Sequence, residues 1–316
     1  MKIVHITTGD LDGIGLEISL KALNTLGPVK GVNFVLWRSN KANKEVLNIL
    51  NKKFKRINVR NKKDILSCHS SKKINVLWDI SSASSPTKWV TYATKYCLQN
   101  KNTQALVTGP LSKSQIQKEG FKHKGHTGLL KNLSETKHVF MVFLGQCFNV
   151  VLLNDHIPLK KFKWDKKQFN KCMELSWLLK KDILNKNPAK KIAVLGFNPH
   201  AGEDGLLGTE EFFIKKELKN RHSKKVDGPL VPDVAFLKEN WKKYFMYLCL
   251  YHDQGLIPFK MIHGRKSFQF SMGLPFVRTS VSHGTAKDIF GKNKASSQSM
   301  VQALKGAINL LKNHQQ

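Results

Sequence analysis

Three of the twelve histidines stand directly behind short apolar runs. His156 lies in Asn154-Asp155-His156-Ile157-Pro158, after the run 149–153. His200 lies in Asn198-Pro199-His200-Ala201-Gly202-Glu203, after the run 192–196. His252 lies in Tyr251-His252-Asp253-Gln254-Gly255, after the run 246–250. Apolar runs of this length read as buried strands, and in open α/β sheets ligands bind beyond the carboxyl ends of strands. Three neutral imidazoles can hold Zn2+ or another divalent ion and still leave a coordination position for a substrate. Any one of the three is equally well explained as a loop or capping residue; the placement they share is what points to an ion. His5, His69, His138, His222, His263 and His314 have no such setting.

Anion-binding groups follow the same logic. Lys260 and Arg278 flank the segment after His252, and a lysine with a bidentate guanidinium is how a protein holds a phosphate or carboxylate. Thr108-Gly109-Pro110-Leu111-Ser112-Lys113 follows another apolar run and could turn backbone N–H groups and a lysine toward an anion. Gly125-His126-Thr127 offers a ring nitrogen beside a hydroxyl. Gly9-Asp10-Leu11-Asp12-Gly13-Ile14-Gly15 contains only a G-x-G fragment, and no Walker or Rossmann glycine fingerprint is present.

The elements that must position these groups alternate between short apolar runs and longer amphipathic segments, the pattern of an α/β protein. Strands are expected at 2–6, 33–37, 74–78, 105–108, 139–144, 149–153, 192–196, 246–250 and 267–271, with a hairpin turn at Gly145-Gln146-Cys147-Phe148. Helices are expected at 16–26, 41–51, 87–99, 166–185, 210–219 and 299–312. The last has Val301, Leu304, Ile308 and Leu311 on one face. A chain of 316 residues can form two lobes. No run approaches the ~20 apolar residues of a membrane span, and the start resembles a first strand rather than a signal peptide, so a cytoplasmic location and no membrane partner are expected. The five cysteines are odd in number and widely spaced, which argues for reduced thiols. The net charge of +31 is spread over scattered lysines without a basic tail or aromatic RNA-binding motif. Specific nucleic-acid binding is therefore not expected, while attraction of phosphorylated substrates is.

Taken in order, six motifs resemble one family. They are T-G-P-L-S-K at 108–113, G-H-T at 125–127, N-P-H-A-G-E at 198–203, D-G-P-L at 227–230, Y-H-D-Q-G at 251–255 and G-L-P-F-V-R-T-S at 273–280. They span nearly the whole chain and resemble the 4-hydroxythreonine-4-phosphate dehydrogenases of pyridoxal phosphate biosynthesis. His283-Gly284-Thr285-Ala286-Lys287-Asp288-Ile289 also resembles a loop of the wider isocitrate/isopropylmalate dehydrogenase superfamily, where it lies against the adenosine of the nicotinamide cofactor.

The resemblance implies two α/β/α lobes with a cleft between them. The first would comprise 1–120 plus 275–316, on the cofactor side. The second, 121–274, would carry the metal ligands and the interface of a homodimer, with the active site at that interface and the metal site shared across it. It implies one divalent metal per subunit on His156, His200 and His252, zinc foremost, with Mg, Mn or Co as alternatives. It implies substrate contacts at His126, Thr127, Lys260, Gln269 and Arg278, and NAD or NADP contacts at His283, Gly284, Thr285, Ala286 and Asp288. Asp233 and Asp253 are candidate proton acceptors or partners of the metal-binding histidines. The chain departs from the family at Gln269, where asparagine is usual, at Gly128 for glutamate, at Ser282 for aspartate, and at Leu11 and Leu16, where the first loop has prolines.

The expected reaction is NAD-dependent, metal-assisted oxidation of 4-phosphooxy-L-threonine. Its product, 2-amino-3-oxo-4-phosphooxybutanoate, then decarboxylates to 3-amino-2-oxopropyl phosphate. A dehydrogenase of threonate or erythronate 4-phosphate would share the metal and phosphate groups and differ at the amino group. A basic nucleic-acid-binding or scaffold protein on the same fold is the reading from another class, and it has no use for three intact histidines.

Overall fold

The computed structural model describes residues 1–42, 44–50, 53–59, 76–121, 125–183, 189–221 and 225–313. In chain order its elements begin β1 (Lys2–Thr7), α1 (Gly15–Leu26), β2 (Val32–Ser39), α2 (Lys44–Leu47), β3 (Lys55–Asn58), β4 (Val76–Ser82), α3 (Pro86–Gln99), β5 (Gln104–Thr108), α4 (Lys113–Lys118) and α5 (His126–Leu133). They continue β6 (Phe140–Leu144), β7 (Val150–Leu152), α6 (Lys166–Ile183), β8 (Lys191–Leu195), α7 (Glu210–Arg221), β9 (Val226–Leu230), α8 (Pro232–Ala235), β10 (Tyr244–Cys249), α9 (His252–His263), β11 (Phe268–Met272), β12 (Val277–Ser280) and α10 (Gln298–Asn313). Among the described residues no helix is long and apolar enough to cross a membrane.

The chain divides into two compact units, residues 1–137 with 267–316, and residues 138–266. The boundaries expected from sequence lay at 120/121 and 274/275. In the structure α5 belongs to the first unit because Leu129 and Leu130 are buried in its core beside Trp89 and Phe276. β11 belongs there because it pairs with β12.

The first unit carries strands in the order β3-β4-β2-β1-β5-β12-β11. All neighbours are parallel except the antiparallel pair β11–β12. The central strands are buried along almost their whole length, as strands covered on both faces are. His5 sits within β1, fully buried. Its Nε2 lies 2.7 Å from Gln104 Oε1, and its Nδ1 accepts Trp37 Nε1–H at 3.2 Å. α10 buries Val301, Leu304, Ile308 and Leu311 as its periodicity requires. Pro86 opens α3 at the position where its missing N–H does no harm.

The second unit orders β6-β7-β10-β8-β9. β6 and β7 form the expected antiparallel hairpin, with Val142 opposite Val151, and the remaining pairs are parallel. Its core is aromatic, built on Phe148, Tyr247 and Phe259. His263, at the end of α9, accepts the N–H of Cys147 at 3.1 Å and so ties the hairpin turn to that helix.

Three expectations differ from the structure. The helix at 41–51 forms only over Lys44–Leu47. The segment after His252 is helix α9, which admits Pro258 in its interior. Of the strand at 74–78, residues 74 and 75 lie outside the described residues, and the strand runs Val76–Ser82. Cys97, Cys172 and Cys249 are buried free thiols, Cys147 is an exposed one, and Cys68 lies outside the described residues.

Candidate active site

In the first unit the loops leaving β1, β5 and β12 are laced together. Gly109 N–H donates to Thr7 O at 2.7 Å, and Asp10 N–H donates to Pro110 O at 3.0 Å. The buried Asp10 carboxylate accepts the N–H of Ser112 at 2.9 Å. Ile14 N–H donates to Thr285 O at 3.1 Å. Lys287 pairs with Asp12 at 2.7 Å and lies 3.5 Å from Asp10. These bonds hold the first loop. The approach is so close that a Cβ on Gly15 would stand 1.6 Å from the Thr8 carbonyl oxygen.

A cavity of about 310 Å3 opens among these loops, lined by Thr108, Lys113, His126, Arg278, Ser280 and the 283–285 turn. The structure therefore gathers four motifs, T-G-P-x-x-K, G-H-T, R-T-S and H-G-T, which lie as much as 177 residues apart in the sequence. Arg278 is the centre of it. β12 pairs with β5 so that Ser280 faces Thr108, and with β11 so that Gln269 faces Ser280. The guanidinium is 2 % exposed. Nη1 donates to Gln269 Oε1 at 2.7 Å and to Ser271 Oγ at 2.9 Å, and Nη2 donates to Thr108 Oγ1 at 2.6 Å. Nε has no hydrogen-bond partner among the described residues. Every partner is neutral, so the charge is held but not compensated. Burial pushes its pKa from 12.5 down to about 9. A buried cation in this state favours an anion.

His126 opens α5 beside that charge. Its Nε2 is buried without a hydrogen-bond partner among the described residues. Burial first, and the Arg278 charge second, push the imidazole down to about 3. It is a neutral ring at physiological pH. Thr127 follows it, half-buried. Gln269, expected as a substrate contact, is buried, and its amide oxygen is shared between Arg278 Nη1 and the Ser280 hydroxyl. It braces the arginine. His283 and Gly284 line the cavity, whereas Ala286 adopts a left-handed conformation at the start of the turn Lys287–Ile289, where Asp288 is exposed.

In the second unit His156 and His252 lie side by side, ring centroids 5.3 Å apart. His252 is the first residue of α9, and its Nδ1 is 2.9 Å from Asp253 Oδ1, a contact that fixes the ring orientation. His156 Nδ1 lies 3.9 Å from Asp155. These are the two expected ligands that the chain brings together. His200 is exposed in the turn after β8 and does not join them: among the described residues no three His, Cys, Asp or Glu side chains gather closely enough to hold an ion. Lys260 is exposed on α9, and Asp233 is exposed on α8. Asp253, offered by the sequence as a proton acceptor, is engaged with His252.

Two residues were missed by sequence reasoning. Gln254 accepts Leu250 N–H at 2.8 Å and donates to Gly196 O at 2.7 Å, joining the exits of β10 and β8. Glu211 holds the loop after β8. The signal for it was present in the paired acids Glu210-Glu211 at a helix start, twelve residues from the N-P-H motif.

The two-unit α/β fold is shared with known proteins. A β-decarboxylating dehydrogenase from Thermococcus kodakarensis shares the fold, with a TM-score of 0.55 and 12% identity over 99% of this chain and 84% of that one. The crystal structure of 4-hydroxythreonine-4-phosphate dehydrogenase from Klebsiella pneumoniae matches with a TM-score of 0.79 and 28% identity over 98% of each chain. A 4-hydroxythreonine-4-phosphate dehydrogenase of Sulfurihydrogenibium sp. is 37% identical, covering 96% of this chain and 97% of that protein. The family described as pyridoxal phosphate biosynthetic protein PdxA matches residues 30–307. The chain belongs to that family of oxidoreductases.

Proposed function

We propose that the chain oxidises the secondary alcohol of 4-phosphooxy-L-threonine with NAD+ or NADP+ as hydride acceptor. The alcohol loses a hydride to the nicotinamide and its hydroxyl proton to a base. The product, 2-amino-3-oxo-4-phosphooxybutanoate, carries a ketone β to its carboxylate, so it loses CO2, and the enolate left behind takes a proton from water at the amino-bearing carbon to give 3-amino-2-oxopropyl phosphate. The observation that carries this reading is the buried Arg278 guanidinium, held by neutral groups on a cavity that His126 also lines. Such a group binds a phosphate or carboxylate strongly because its desolvation is already complete before the ligand arrives.

Each residue has a definite task in this reading. Arg278, with Thr127, holds and orients the anionic groups of the substrate, and Lys260 is a further substrate contact. His126, neutral, offers a hydrogen bond without adding charge. His283, Gly284, Thr285, Ala286 and Asp288 receive the adenosine part of the cofactor. His156, His200 and His252 hold one divalent ion, zinc foremost, and Asp253 fixes the ring orientation of His252. Such an ion lowers the pKa of a hydroxyl and polarises a carbonyl. Asp233 remains the candidate proton acceptor. A homodimer is part of the proposal, because one chain gathers only two of the three histidines. The second unit also exposes Ile257 and Met261, four residues apart on α9, at 60% and 80%, and adjoining apolar side chains on one helix face suit a protein contact.

The test is a set of single alanine changes at His156, His200 and His252. Each is expected to abolish NADH formation and to lower bound metal. Wild-type turnover in any one variant would remove that histidine from the ligand set.

A further inference from the structure

The turn that presents His200 has a backbone conformation that L-residues rarely hold over consecutive positions. His200, Ala201, Gly202, Glu203 and Asp204 all have positive φ, between 42° and 78°. Four of the five carry a Cβ, and such a run persists only where its surroundings over-determine it. The principal support is one carboxylate. Glu211, the second residue of α7, is 3% exposed. Its Oε1 accepts the N–H groups of Phe197 and Asn198, each at 2.7 Å, and its Oε2 accepts Asn198 Nδ2 at 2.9 Å. A Cβ on Gly202 would stand 2.6 Å from Oε2, and one on Gly196 would stand 3.3 Å from Oε1. The carboxylate thus fills the inside of the turn, and two glycines leave it room. Its place in the first turn of a helix favours its charge. The neighbouring Glu210 grips the same Asn198 amide at 2.8 Å.

We propose that Glu211 is the positioning residue for His200: its buried carboxylate holds the left-handed run 200–204 in the one shape that presents the imidazole. The proposal rests on the reading of His200 as a metal ligand. A carboxylate is required because it alone accepts on both oxygens. A glutamine of the same size would turn its own N–H2 toward a donor.

The test uses the full-length chain. In E211Q, hydrogen exchange across 197–205 is expected to quicken while exchange across α6 stays as in the wild type. Titration with zinc alone is expected to give an affinity roughly ten- to a hundredfold weaker, with H200A losing at least as much. Wild-type exchange and wild-type zinc affinity in E211Q would overturn the proposal. If H200A instead bound zinc as the wild type does, the metal reading would fail, while quickened exchange in E211Q would still support the hold on the turn. Should E211Q not fold, E211D shortens the side chain by one methylene and draws the carboxylate away from the N–H groups of Phe197 and Asn198. Quickened exchange confined to the turn, with severalfold weaker zinc binding, supports the proposal, and no change in either sinks it.

Discussion

Arg278 donates through Nη1 to the amide oxygen of Gln269 at 2.7 Å, and the two side chains are both buried. In this chain the residue at 269 braces the arginine. A prediction for KM follows. Arg278→Ala should raise KM for the phosphorylated substrate roughly tenfold to a hundredfold, the equivalent of a charge-assisted hydrogen bond of about 1.5–3 kcal/mol. Gln269→Ala should raise it less, with kcat little changed, because the guanidinium stays charged but loses its brace. Steady-state kinetics of the two variants decide it; an unchanged KM in Arg278→Ala removes that residue from the site.

The uncompensated Arg278 charge also predicts ligand-linked stability. Inorganic phosphate at about 100 times its Kd should stabilise the protein by about 2.7 kcal/mol. The same addition should do nothing for Arg278→Met. Urea unfolding with and without phosphate measures this. Equal stabilisation of both proteins would place the anion elsewhere.

His126 gives a pH signature. Its folded pKa is pushed below the ordinary 6.5 to about 3. The unfolded state therefore binds the extra proton between those values, and stability falls as pH drops through that window. The ring should show no titration between pH 5 and 8 by NMR, and His126→Gln should lose less stability than the wild type between pH 7 and pH 4. A midpoint near 6.5 would contradict its burial beside Arg278.

Gln254 joins the exits of β8 and β10 by two hydrogen bonds. Gln254→Ala leaves a backbone N–H and a carbonyl without their partner, and should cost about 2 kcal/mol in urea unfolding. A loss below roughly 0.5 kcal/mol would mean that water replaces the amide without penalty.

The sequence made the chemistry more legible than its arrangement. The three histidines stood out because each follows a short apolar run, and the strands behind them form within two residues of expectation; Arg278 stood out only by its closeness to the motif after His252, and the strand that carries it, β12, was not expected. The burial of Arg278 was not legible, since it depends on the register of β5, β12 and β11, which brings Thr108 and Gln269 to one side chain. α9 was hidden by Gly255 and Pro258, residues that argue against a helix locally but are accepted once Leu256 and Phe259 are buried in the core. The separation of His200 from His156 and His252 could not be read either, because spacing along the chain carries no distance between loops.

The central claim is best tested by cofactor reduction with purified full-length chain and zinc. The substrates are 4-phosphooxy-L-threonine, threonate 4-phosphate and erythronate 4-phosphate, each with NAD+ and with NADP+. The account predicts reduced cofactor and CO2 release with the amino acid, suppressed by a chelator, and markedly less turnover with the two sugar acids. Turnover of a sugar acid in preference to the amino acid, or no turnover of any of the three, would contradict it.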